Sequence, residues 1–260
     1  MPTIFNGIPW YDQHQQAVNV SGGCLIQENG KYYLFGEYHQ AASIEFAGFS
    51  RYVSSDLEHW EFTGLALPLQ PSGLLEPHRI GDRVKVVRAQ TGQYIMLMHT
   101  DDERYFDPVI AYATADRLTD TFTFRGPLLF NDQPIRMWHI GSFTDNDGTN
   151  YLLTHEGDIY RLATDGTTAE TKIISNLAPG TEAPAMFRFH NHYFFLASQK
   201  TSWDHNDNVY FTADQFDQLT GPWTPHGQSG KWSHLDLLTN RKMWCRRTVT
   251  MHQPVLAWKY

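Results

Sequence analysis

Four stretches of the chain repeat one pattern, and that repetition limits the architecture more than any other feature. Small residues lead into an apolar strand, a turn follows, and an aromatic-rich strand leaves: GGCLIQENGKYYLFGEY from Gly22, RVKVVRAQTGQYIMLMH from Arg83, IGSFTDNDGTNYLLTHE from Ile140 and APAMFRFHNHYFFLASQ from Ala183. The pairs Asn29-Gly30, Thr91-Gly92, Asp147-Gly148 and Asn191-His192 stand where a hairpin needs residues tolerant of positive φ. After each hairpin comes a second recurring unit, SRYVSSDLEHWEFTGLAL from Ser50, IAYATADRLTDTFTFRGPLL from Ile110, IYRLATDGTTAETKII from Ile159 and VYFTADQFDQLTGPWTPHG from Val209. In it a strand runs into a Ser/Thr-x-Asp turn, shortened to Thr-Asp in the third copy, and a second strand departs. Two hairpins per repeat build a four-stranded antiparallel sheet, and a spacing of roughly fifty to sixty residues suits a propeller blade.

Four such blades are visible. Propellers close by pairing the two ends of the chain, so the N-terminal segment and the last thirty residues are expected to supply a fifth sheet. That last stretch, KWSHLDLLTNRKMWCRRTVTMHQPVLAWKY, has six Lys or Arg against one acid and lacks the hairpin pattern. The expectation is therefore all-β: a five-bladed β-propeller with an irregular or incomplete closing blade, residues 1–260 forming one catalytic domain. A single domain of 260 residues is ordinary for all-β chains.

Composition agrees and excludes partners. Charged residues are 18% and aromatics 14%, with 19 Gly and 13 Pro, a balance of short strands and turns. A formal charge of -8 argues against nucleic acid, which selects basic surfaces. No stretch approaches eighteen apolar residues, and the N-terminus has neither a basic nor an apolar leader region, so the expectation is no membrane and a cytoplasmic location. Cys24 and Cys245 make no disulfide framework. His78, His99 and His155 lack metal-ligand spacing and read as structural. No cofactor is implied, with a calcium ion in the channel left open, and oligomeric state is not legible.

In a propeller the innermost strands line a central channel, and the loops entering them converge at one mouth. The lead-in residues are Ser21, Asp82, His139 and Glu182, one per blade, all polar or ionisable. Glu182 precedes Ala183, Pro184 and Met186, apolar company that disfavours a charged carboxylate. Pro184 is expected to hold Ala183 extended.

Here the sequence resembles a known family. GFSRYVSSDLEHWEFTGLAL is similar to the Y-x-S-S-D-L-x-x-W-x-x-x-G blade of family 43 glycoside hydrolases. DRVKVVRAQTGQYIMLMH resembles the ERPKV...TGKYVMWMH segment of their exo-β-1,3-galactanase subgroup, and TEAPAMFRFHNHYFFLASQKTSW followed by TADQFDQLTGPWTPHG is similar to that subgroup's EAPAMFK...GKYY...TSG-x-TGW and TADS-x-x-GPW. The likeness runs from about Gly7 to about Gly227 and is most specific from Thr181 onward.

The resemblance implies an inverting hydrolase of β-linked galactosides acting on an oligosaccharide. An arabinofuranosidase or xylosidase of the same family, or a sugar-binding propeller that has lost its chemistry, are the alternatives. It implies Glu182 as the general acid. Asp82 stands for the Glu of ERPKV, His139 for an Asp that orients the acid, and Ser21 for the His of AHGG. Sugar sites combine carboxylates that accept from hydroxyls with aromatic faces that stack on the ring. The matched motifs nominate Glu37, Tyr105, Thr201, Trp203 and Glu156 for such contacts. The base stays open among Asp12 near the N-terminus and the amides Asn240 and Gln253.

Overall fold

The computed structural model describes residues 8–40, 45–190, 192–200, 206–214 and 223–228. Each repeat forms one meandering antiparallel blade. The first contains β1 (Ser21–Glu28), β2 (Lys31–His39), β3 (Phe46–Ser54) and β4 (Glu61–Pro68), and the second β5 (Arg79–Arg88), β6 (Tyr94–Asp102), β7 (Val109–Ala115) and β8 (Thr123–Pro127). Short strands β9 (Leu129–Phe130) and β10 (Gln133–Pro134) follow. The third blade is β11 (Gly141–Thr144), β12 (Asn150–Thr154), β13 (Asp158–Leu162) and β14 (Thr168–Ile174), and the fourth β15 (Thr181–Phe189), β16 (His192–Gln199), β17 (Asn208–Ala213) and β18 (Thr224–Gln228). Four blades in a β-propeller arrangement are therefore described, and the expected closing blade, with Asn240, Cys245 and Gln253, lies outside the described residues.

Turn chemistry sets the hairpins. Glu28 pairs with Lys31, leaving Asn29 and Gly30 as a two-residue turn at φ 51° and 74°, which an Asn-Gly pair tolerates. In the fourth blade Phe189 pairs with His192 and His190 takes φ 53°. The turn there begins at His190, one residue earlier than the sequence suggests. Blade three departs further. Its outer edge is extended by the linker from blade two, because β9 pairs in parallel with β14 through Thr168 and Leu129.

Alternation along β2 explains how blades stack. Tyr33 and Phe35 enter the core shared with blade two, where Val84, Val86, Met96 and Met98 meet them, while Leu34 turns to the opposite face with Val18, Tyr52 and Trp60. Both faces of a blade are thus buried, and a one-residue slip would exchange them. Similar apolar layers join blades two and three around Ile95, Leu97 and Leu152, and blades three and four around Leu153, Tyr193 and Phe195. Phe35→Ala is expected to lower unfolding free energy by about 3–5 kcal/mol, the range for removing a buried Phe. Denaturant titration checks this, and a loss under about 1 kcal/mol would mean the interblade layer is not packed as described.

Candidate active site

One backbone irregularity recurs at the entry of each of the four described inner strands. In blade one, Ser21 pairs with Glu37 and the register then jumps to Cys24 with Phe35. Blade two has Asp82 with His99, then Lys85 with Leu97, and blade four has Glu182 with Ser198, then Ala185 with Leu196. Each is a bulge in which two residues oppose one. The first bulged residue lies in the left-handed region: Gly22 at φ 53°, Arg83 at 53° and Ala183 at 50°. Ala183 is therefore not extended as Pro184 suggested, because the bulge overrides the proline's local preference. A Cβ on Gly22 would stand 2.3 Å from Glu37 Oε1, so that position also needs glycine for space.

Blade three has the same bulge, shifted by one residue from the sequence reading. His139 takes φ 51°, the His155 amide reaches the Trp138 carbonyl at 3.4 Å, and regular pairing begins with Gly141 and Leu153. His139 is thus the counterpart of Gly22, Arg83 and Ala183, while Trp138 is the counterpart of Ser21, Asp82 and Glu182. Trp138 is a candidate site residue that sequence reasoning missed. The fourfold repeat carried its signal, visible only once the bulge is counted. It is 37% exposed and stacks on His155 at 5.0 Å, and its amide donates to His155 Nδ1 at 3.0 Å.

The bulges gather charge at one place. His139 Nδ1 approaches Glu182 Oε2 to 3.5 Å, within ion-pair reach but outside hydrogen-bond geometry, and both side chains are about one-fifth exposed. Burial, reinforced by the Arg83 charge, pushes the His139 imidazole down to about 2. It stands beside the carboxyl as a neutral ring, which removes the ionic interaction that a protonated histidine would make.

Asp82, 6% exposed, faces Arg83 Nε at 3.9 Å and His99 Nδ1 at 3.8 Å. Burial alone would raise its carboxyl. The shared hydrogen bond with Glu37 and the neighbouring His99 and Arg83 outweigh that and hold it well below the usual carboxylate range. Glu37 is 3% exposed and accepts from the Arg83 amide at 2.9 Å. Tyr105 rests over the His99 ring and feels Asp82 and Glu37, which with burial raise its hydroxyl to about 12. Of the sequence-derived candidates, the structure brings together Glu182, His139, Asp82, Glu37 and Tyr105.

Two other candidates have structural partners of their own. Both Glu156 oxygens are engaged, one by Lys200 Nζ and one by the Gly180 amide, so this carboxylate ties a short turn of blade three to the ends of blade four. Asp12 caps its own turn, accepting from the amides of His14 at 2.8 Å and Gln16 at 2.9 Å, and bridges to Trp60 just before the outer strand β4, away from the channel. Thr201 and Trp203 lie outside the described residues.

Below the mouth runs a channel cavity of about 320 Å³ between the inner strands β1, β5, β11 and β15. Arg83 and Ala183 line it, while Asp82 and Glu182, one residue earlier, stand at its rim. Lys85 reaches across, donating to the carbonyls of Val84 at 2.9 Å, Gly22 at 3.2 Å and Gly23 at 3.3 Å, and burial lowers its ammonium to about 8. Among the described residues no group of three or more His, Cys, Asp or Glu could hold a metal ion, and no described helix is long and apolar enough to cross a membrane.

A propeller whose channel mouth gathers three carboxyl groups, a neutral imidazole and an exposed indole is the frame of a glycosidase. No family model and no curated protein matches the sequence, but solved structures do. The chain is 31% identical to an assigned exo-β-1,3-galactanase from Bifidobacterium bifidum S17, with a TM-score of 0.76 over 84% of this chain and 73% of that one. An exo-β-1,3-galactanase from Phanerochaete chrysosporium solved with galactose gives 26% and 0.78, over 87% of this chain and 53% of that one. One from Clostridium thermocellum gives 25% and 0.75, over 85% and 51%. The chain thus spans about half the length of several structures it matches. It belongs to glycoside hydrolase family 43.

A neutral buried histidine makes stability depend on pH. As pH falls below about 6.5 the unfolded chain protonates His139 while the folded one does not, so folding weakens on acidification, by on the order of 2 kcal/mol at about pH 5. His139→Gln is expected to lose less stability than the wild type between about pH 7 and pH 5, read from thermal melts at each pH. Parallel curves for the two proteins would contradict a neutral buried ring.

Proposed function

We propose that the protein is an exo-acting glycoside hydrolase that removes terminal β-linked galactose, with β-1,3-linked galactooligosaccharides as substrate, and that it works with inversion. The observation that carries this reading is Glu182, partly exposed at the rim of the channel, on the bulge that its counterparts Asp82 and Trp138 share. In an inverting reaction one carboxylic acid protonates the leaving oxygen while water attacks the opposite face of the sugar, through an oxocarbenium-like state. Glu182 is assigned as that acid. His139, neutral, lies against it without drawing its proton toward an ion pair.

Asp82 supplies fixed negative charge, accepting from sugar hydroxyls and stabilising the positive charge that develops on the ring. Glu37 and Tyr105 complete the polar wall, and Trp138 offers the apolar face of the galactose a flat surface. Thr201 and Trp203 retain their assignment to substrate contact by the likeness to the galactanase motifs. Residues 1–260 are read as one catalytic domain closed by a fifth blade from residues 231–260 with the N-terminal segment.

A second reading has one observation in its favour. Neither His139, which the motif likeness puts in place of the carboxylate expected to tune the acid, nor Trp138, which the bulge puts at the lead-in position, is a carboxylate, as in a propeller that keeps its sugar pocket and has lost turnover. Incubation with β-1,3-galactobiose, beside arabinofuranosides and xylosides, separates the two. The hydrolase reading expects galactose release, with kcat lowered by about 10²- to 10⁴-fold in Glu182→Gln, the range for a lost general acid. Binding without turnover in both proteins would select the sugar-binding propeller. Trp138→Ala is expected to raise KM by about tenfold with kcat little changed, as loss of a stacking surface does. An unchanged KM would remove Trp138 from the site.

A further inference from the structure

We propose that His99, anchored by Asp101, is a positioning residue that presents a ring proton to Asp82 and so fixes that carboxylate, charged, at the sugar. The inference rests on the assignment of Asp82 to substrate above. His99 is 1% exposed and Asp101 0% exposed, so neither is surface decoration. His99 Nε2 stands 3.0 Å from Asp101 Oδ2, and the other oxygen, Asp101 Oδ1, accepts from the amides of Asp102 at 2.9 Å and Asp107 at 2.8 Å. With Nε2–H committed to Asp101, the opposite nitrogen is aimed at the mouth. Nδ1 lies 3.8 Å from Asp82 Oδ2 and has no hydrogen-bond partner among the described residues.

A ring set between two carboxylates satisfies both only when each nitrogen carries a proton, because an ionised carboxylate only accepts. A bare Nδ1 lone pair facing Asp82 would instead bury two acceptors against each other, at a cost comparable to a lost hydrogen bond. The surroundings make the demand sharper. Glu37 from β2 shares a hydrogen bond with Asp82, and two adjacent buried carboxyl groups tend to keep one proton between them. Arg83 on β5 and His99 on β6 are the positive or proton-donating groups opposing that. Tyr105 lies against the His99 ring and contributes no charge at neutral pH, and His139 across the mouth is neutral. Asp107, behind Asp101, is occupied by Arg79 at 3.0 Å and Arg136 at 2.8 Å, which holds the loop that donates to Asp101. The line Asp107 loop, Asp101, His99, Asp82 therefore connects an outer ion-pair cluster to the sugar site.

Two readouts test this. Histidine-ring ¹⁵N NMR of the wild-type protein, with His99 identified among the 13 histidines by comparison with His99→Gln, is expected to show protons on both nitrogens near neutral pH. Asp101→Asn should lower the pH at which that second proton is lost. A His99 ring with a bare Nδ1 from about pH 5 to pH 8 would overturn the proposal. In kinetics, His99→Gln is expected to move the acid limb of kcat/KM upward by on the order of one pH unit, since Asp82 loses a neighbour that favours its charged form. A rate that drops without any movement of the limb would assign His99 to packing alone and overturn the proposal. The NMR measurement needs no substrate, so it decides even if the protein hydrolyses no galactoside.

Discussion

The site depends on a single backbone device, the left-handed residue at the entry of each inner strand. Non-glycine residues enter that region at a cost of roughly 1–2 kcal/mol each, and here Arg83, His139 and Ala183 all do so. The cost is met by the sheets that hold both ends of each bulge. In return the residue just ahead of each bulge, Asp82, Trp138 or Glu182, stands at the rim of the channel, out of the regular alternation of its strand. Close approach of the blades then completes the mouth. At Gly141 a Cβ would lie 2.2 Å from the Pro184 carbonyl, so only glycine lets the third inner strand reach the fourth and bring His139 to Glu182.

Electrostatics at that mouth are decided by burial set against specific partners. For His139 burial wins, and the ring is neutral. For Asp82 the partners win, and the carboxyl is held charged despite its burial. The two outcomes belong together: a neutral ring faces Glu182 without an ionic pull on it, and a fixed negative charge stands on the blade beside it. Lys85 adds a third local solution, an ammonium held among main-chain carbonyls that ties the first and second inner strands below the reacting groups.

Much of this was legible in the chain itself. The hairpins announce themselves because Asn29-Gly30 and Asp147-Gly148 can do little except turn, and the alternation Tyr33, Leu34, Phe35 dictates two buried faces. Glu182 and Asp82 stood out by their place before the inner strands and by the likeness to family 43. The third blade was misread by one residue because a bulge consumes a residue without leaving a composition signal, and His139 is more obviously polar than Trp138. The partner of Glu156, Lys200, lies 44 positions away and has no local signal. Asp12 is drawn aside by its own turn, and the parallel pairing of β9 with β14 has no local cue. Long-range partners account for Glu156 and β9, and hydrogen bonds within a local turn account for Asp12.

The central claim is that Glu182 delivers the proton to the leaving group. Its most direct test is the dependence of rate on leaving-group acidity in Glu182→Ala. A substrate whose leaving group departs as a stable anion needs no protonation, so dinitrophenyl β-galactoside should be cleaved by the variant at a rate near that of the wild type, while cleavage of β-1,3-galactobiose collapses. Equal losses on both substrates would contradict the account, because they would place Glu182 outside the proton-transfer step.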